Sequence, residues 1–190
     1  MNDQARGLLI TLIGILCVVP DSLFVRLIDA APLTIAFWRL ALAGGLICCW
    51  ILLTKGTGPF RAVLKTGRYG LVYMVGTGAS GVLFVLAVSL TSVANVVFIL
   101  ASLPIFATVY SRIFLAEPIS RRMLITIAVV MVGIAIIAYG SGETAHASLV
   151  GDLLALAVSA LFAAGLTAAR HAKAISMVPG VGVAYLIGAA

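Results

Sequence analysis

Seven apolar stretches, spanning residues 7–28, 32–53, 69–90, 92–115, 123–140, 149–169 and 174–190, account for most of this chain. At about 1.5 Å per residue, a helix needs roughly 20 apolar residues to cross a ~30 Å hydrocarbon core. Most of the stretches meet that length, and polar breaks separate them. Only 9% of residues are Asp, Glu, Lys or Arg, against 63% hydrophobic. A water-soluble globule this small exposes too much of its area to hide that much apolar side chain. Barrel strands would show segments of about ten residues alternating polar with apolar, a pattern absent here. The expected fold class is all-α, a polytopic helical membrane protein with the bilayer as its outer solvent.

The net charge of +6 invites a nucleic-acid reading, but the positions of the cations argue against one. With a cytoplasmic amino terminus, Arg6, Lys55, Arg61, Lys65, Arg68, Arg121, Arg122, Arg170 and Lys173 all fall on the cytoplasmic side. The opposite connections carry Asp29 and Glu143, with Arg26 just inside the preceding span. This imbalance is the positive-inside pattern. It predicts a multi-pass membrane protein with a cytoplasmic amino terminus, whose neighbours are anionic lipid headgroups rather than nucleic acid.

Chemistry-bearing residues are few. Cys17, Cys48 and Cys49 lie within apolar spans without metal-ligand spacing and read as small fillers. His146 and His171 fall in connections with no partner at catalytic spacing. There is no phosphate-binding loop, nucleophile triad or metal cluster, so neither an enzyme nor a cofactor is expected. The first span is too long for a cleaved leader and is followed at once by another, which suits a retained helix.

Between residues 7 and 53 the ionised groups are Asp21, Arg26, Asp29 and Arg39. Asp21 lies nine residues before Ala30 and Arg39 eight after Ala31, so both fall about 12 Å below one membrane surface if both spans are helical. A charge at that depth is costly unless paired, and Asp21 with Arg39 is the available pair. Two readings stand: a static bridge fastening the first hairpin, or an anchor for a charged or zwitterionic solute, with Asp21 a possible proton carrier. Pro20 and Pro104 fall inside apolar spans, either as hinges that free a carbonyl beside a cavity or as passive kinks. Ser89, Thr91, Ser92 and Asn95 cluster between the third and fourth spans, where capping explains most of them; Asn95 is also placed to hydrogen-bond a solute. Gly70, Gly76, Gly78 and Gly81 crowd the third span, either for close helix packing in lipid or to line a passage with exposed backbone. Trp38 and Trp50 suit the two interfacial belts.

The run Ser89-Leu90-Thr91-Ser92-Val93-Ala94-Asn95, then Leu103-Pro104-Ile105-Phe106 and Phe114-Leu115-Ala116-Glu117-Pro118-Ile119-Ser120, resembles the end of an EamA-type repeat of the drug/metabolite transporter superfamily. The Arg39-centred run 37–46 and the helix 133–140 share the resemblance. It implies a carrier of the bacterial inner membrane with ten helices in two inverted repeats, moving metabolites, amino acids or drugs by alternating access. On that basis residues 1–140 form a first five-helix repeat, 141–148 a periplasmic connection, and 149–190 the start of a second repeat. Glu117 matches an acidic helix-connecting position, expected to cap or to bridge to Arg121 or Arg122.

Gly7, Leu9, Leu12 and Arg26 recur at a constant offset as Gly151, Leu153, Leu156 and Arg170. An odd number of intervening helices makes such a copy inverted, as in many secondary transporters. The apolar ending at Ala190 suggests a piece of a longer carrier, completed by a second copy or by a missing carboxyl-terminal half. The alternatives are a short dimeric multidrug-type carrier, against which the one-sided charge argues, and a scaffold or accessory subunit that transports nothing.

Overall fold

The computed structural model describes residues 3–18, 21–140, 148–172 and 175–190, and every regular element among them is helical. In chain order these are α1 (Asp3–Val18), α2 (Asp21–Leu27), α3 (Pro32–Lys55), α4 (Gly58–Lys65), α5 (Arg68–Leu90), α6 (Val93–Leu100), α7 (Leu103–Phe114), α8 (Arg121–Gly140), α9 (Leu149–His171) and α10 (Val178–Ala189). Pro20, Glu143, His146, Lys173, the connection 141–147 and the side chains of Cys17 and Arg26 lie outside the described residues. Four spans among the described residues are long and apolar enough to cross a bilayer: Pro32–Lys55, Arg68–Leu90, Val93–Phe114 and Leu149–His171. Their outward faces are apolar too. On α3, Leu42, Leu46, Trp50 and Leu53 form an exposed stripe at helical spacing, which only a hydrocarbon solvent tolerates.

α5 is the central helix, packed along its length by α9 and flanked by α10 and α3. Tyr69 meets His171 at one end, Gly76 meets Leu161 and Gly165 in the middle, and Thr91 meets Gly151 at the other, so α5 and α9 are antiparallel. Small residues allow this approach. A Cβ on Gly76 would fall 2.6 Å from the Leu161 carbonyl oxygen, and one on Gly78 would fall 2.5 Å from that of Ala184. Among helices in lipid, such contact replaces the hydrophobic drive that water supplies.

The span Val93–Phe114 is two helices. Pro104 sits in the first turn of α7, where its missing N–H is no loss, but it has no N–H to give the Leu100 carbonyl. The chain turns at Ala101 and Ser102, freeing carbonyls at mid-span. The Ile99 carbonyl accepts from the Ser102 N–H (2.9 Å) and from the fully buried Ser159 hydroxyl of α9 (3.1 Å). Helix α4 lies inside the stretch 54–68, which reads in sequence as a polar connection. Val63 is buried beside Tyr73, while Arg61, Leu64 and Lys65 stay exposed.

Helix polarity gathers Lys55, Arg68, Arg121, Arg122 and Arg170 at one end of the bundle, here the basic end. Asp29, Thr91, Asn95 and Asp152 lie at the other.

Candidate functional site

Asp21 opens α2, where the helix N-terminus favours a carboxylate. Arg39 lies two turns into α3, on the face turned toward α2 and α5. Arg39 Nε donates to Asp21 Oδ1 at 3.0 Å and Nη2 donates to Oδ2 at 2.6 Å. This two-pronged geometry is the strongest a guanidinium and a carboxylate make. The guanidinium also lies over the Phe84 ring of α5, 5.4 Å from its centroid, a contact that a planar cation makes well. Both side chains keep about 30% of their surface exposed (30% for Arg39, 29% for Asp21). They line a cavity of about 380 Å³ with Phe24, Thr34 and Trp38. Trp38 is exposed and packs edge-on against Phe37, with ring centroids 5.3 Å apart.

An ion pair that reaches a cavity can exchange partners. An incoming carboxylate can take the Arg39 fork from Asp21, and an incoming ammonium can take Asp21 from Arg39. A zwitterion can do both while each protein charge keeps a counter-ion.

Asn95 belongs to a separate polar cluster. It is the third residue of α6; its N–H donates to the Ser92 hydroxyl (3.1 Å), the N-cap arrangement its surroundings suggest. Its side-chain amide donates to Thr91 Oγ1 (3.4 Å), which in turn donates to Asp152 Oδ1 (2.9 Å). The structure brings Asp21 and Arg39 together and gives Asn95 different partners. The sequence reading passed over Asp152, although a carboxylate within Leu149-Val150-Gly151-Asp152-Leu153 was a visible signal.

At the basic end the expected partner of Glu117 is corrected. Glu117 Oε2 accepts from Arg170 Nη2 at 2.8 Å, not from Arg121 or Arg122, and Arg170 Nη1 also donates to Ser111 Oγ at 3.3 Å. The cause is the turn after α7. Ala116 adopts a left-handed φ of +52° and the Glu117 N–H closes onto the Ser111 carbonyl (3.3 Å), which turns the carboxylate toward α9. His171 is no isolated loop residue: it ends α9 stacked on Tyr69, centroids 3.8 Å apart. Cys48 and Cys49 are free thiols.

Long apolar helices, close glycine contacts and a paired charge within the spans define a polytopic helical membrane protein with a solute-sized cavity at its ion pair. The family model for the EamA-like transporter family matches residues 5–139, and the chain belongs to that family of membrane transporters. No curated protein and no solved structure matches it.

Proposed function

We propose that the chain carries small organic solutes, exporting or exchanging metabolites, amino acids or drugs by alternating access across a bacterial inner membrane. The amino terminus and the basic end face the cytoplasm in this reading, supported by the one-sided distribution of Lys and Arg. The internal echo between residues 7–26 and 151–170 supports α9 as the opening helix of an inverted second repeat. Asp21 and Arg39 bind or gate solute in the outer half of the path. Asn95 contributes a neutral hydrogen bond there, since its Oδ1 accepts none from the described residues. Pro104, at the α6–α7 break, is a hinge in the same reading.

The observation that carries this proposal is the Asp21–Arg39 pair on a cavity wall, part-exposed at a depth where ions are costly. Arg39→Ala is expected to abolish uptake or export of a labelled amino-acid panel while membrane insertion and protein level stay normal. Loss of the protein itself in that variant, with recovery of both protein and flux in an Arg39→Asp, Asp21→Arg exchange, would instead make the pair a structural fastener.

A further inference from the structure

A second cavity, of about 560 Å³, opens between α5, α7 and α9 at the basic end, away from Asp21 and Arg39. Its volume lies within the range of pockets that hold small organic ligands. The two ends of its lining differ in chemistry. The mouth carries Arg68 and His171, and among the described residues Arg68 has no carboxylate partner. Its guanidinium lies against its neighbour Tyr69 instead, 5.1 Å from the ring centroid, and Nη2 donates to the Tyr69 hydroxyl at 3.2 Å. Glu117, the described carboxylate nearest this end, is already held by Arg170, so the mouth has cationic charge in excess.

The wall formed by α7 is aromatic. Phe106, Tyr110 and Phe114 recur every four residues along α7, with ring centroids 6.3 and 6.1 Å apart. Tyr110 and Phe114 line the cavity. The Tyr110 hydroxyl makes no hydrogen bond with any described residue, so it is open to a ligand. A guanidinium without a carboxylate partner selects a carboxylate, sulfonate or phosphate. Rings beside it select a flat apolar body.

We infer that this cavity binds an aromatic organic anion, its acid group on Arg68 and its ring against Tyr110 and Phe114. The inference concerns binding alone and holds whether or not Asp21 and Arg39 touch solute.

The test uses the full chain in phosphatidylcholine nanodiscs, with 2-naphthoate as probe and binding measured by calorimetry. The naphthoate is expected to bind about tenfold or more tightly than 2-naphthylmethanol, which keeps the ring and drops the charge. Arg68→Gln and Tyr110→Leu should each weaken it about tenfold, and Arg68→Lys, which keeps charge but not the fork, by a smaller factor. Arg61→Gln, on exposed α4 outside the cavity, should leave binding unchanged. In an Arg39→Ala background, which removes the other described fork able to take a carboxylate, Arg68→Gln should still weaken binding about tenfold, which separates failure here from failure of the transport proposal. Equal binding of acid and alcohol would overturn the site, as would equal weakening by Arg61→Gln and Arg68→Gln. Displacement of naphthoate by phosphatidylglycerol in the disc would also overturn it and make the cavity a headgroup site.

Discussion

Gly76→Ala is the most direct test of how this bundle is held together. Ala is the better helix former by about 1 kcal/mol, so on an isolated helix the change would stabilise. Here the new methyl would sit 2.6 Å from the Leu161 carbonyl oxygen, whereas ordinary contact begins at 3.4 Å. Neither backbone can rotate away, so α5 and α9 must separate locally by about 0.8 Å, a gap that forfeits a quarter to a half of each pairwise dispersion well. The pair runs the full helix length, from the Tyr69–His171 stack to the 2.9 Å Thr91–Asp152 bond, so much contact is at risk. Overpacking of this kind costs about 1–3 kcal/mol, enough to outweigh the propensity gain. Gly133→Ala on α8 is the control, since a Cβ there meets nothing within 4 Å. In matched detergent, Gly76→Ala should lower the unfolding temperature by several degrees, and Gly133→Ala should leave it level or raise it. If both variants melt together, the close approach of α5 and α9 is not what stabilises the fold.

Two further tests address contacts across the bundle. Ser159→Ala removes the side-chain donor to the Ile99 carbonyl at the α6–α7 break and should destabilise by about 0.6 kcal/mol, rising toward 1.7. Ser89→Ala, whose hydroxyl bonds only the Leu86 carbonyl on its own helix, should change little; equal effects would remove Ser159 as the stitch across the break. For Glu117 and Arg170, a double-mutant cycle with the charges exchanged should recover about 0.5–1 kcal/mol over the single variants, as part-exposed pairs do. A coupling energy of zero would make that pair incidental.

What the sequence could and could not reveal follows from the range of the interactions involved. Spans were legible because bilayer thickness acts on each helix separately: 32–53, 69–90 and 149–169 reappear as Pro32–Lys55, Arg68–Leu90 and Leu149–His171. The Asp21–Arg39 pair was legible for a related reason, since two spans joined by a short turn give equal counts from it equal depth. Partners set by packing between distant helices were not. Glu117 lies four and five residues from Arg121 and Arg122, yet α7 runs alongside α9 and Ala116 turns the carboxylate toward Arg170. Asp152 escaped notice because its partner, Thr91, is 61 positions away and is reached only once α5 and α9 pack antiparallel. Helix α4 hid its apolar positions, Phe60, Val63 and Leu64, among glycines and cations in a segment too short for periodicity to stand out.

The glycines lie between these cases. Crowding at 70–81 foretold close approach on α5, but not that Gly76 would face α9, Gly78 face α10 and Gly81 meet Leu40 of α3. Three glycines within six residues point to three different helices, so each must be small for a different neighbour. A helix packed on all these sides has no face free to move independently. The mobile parts of any transport cycle are therefore better sought at the α6–α7 break and in α7, whose first turn holds Pro104 and whose far end closes onto α9 through Arg170, which bonds Ser111 and Glu117. A cysteine crosslink between α7 and α9 at the basic end should then arrest flux, whereas one between α5 and α9 at mid-span should not. Arrest by both would mean that α5 itself moves, against the packing its glycines make.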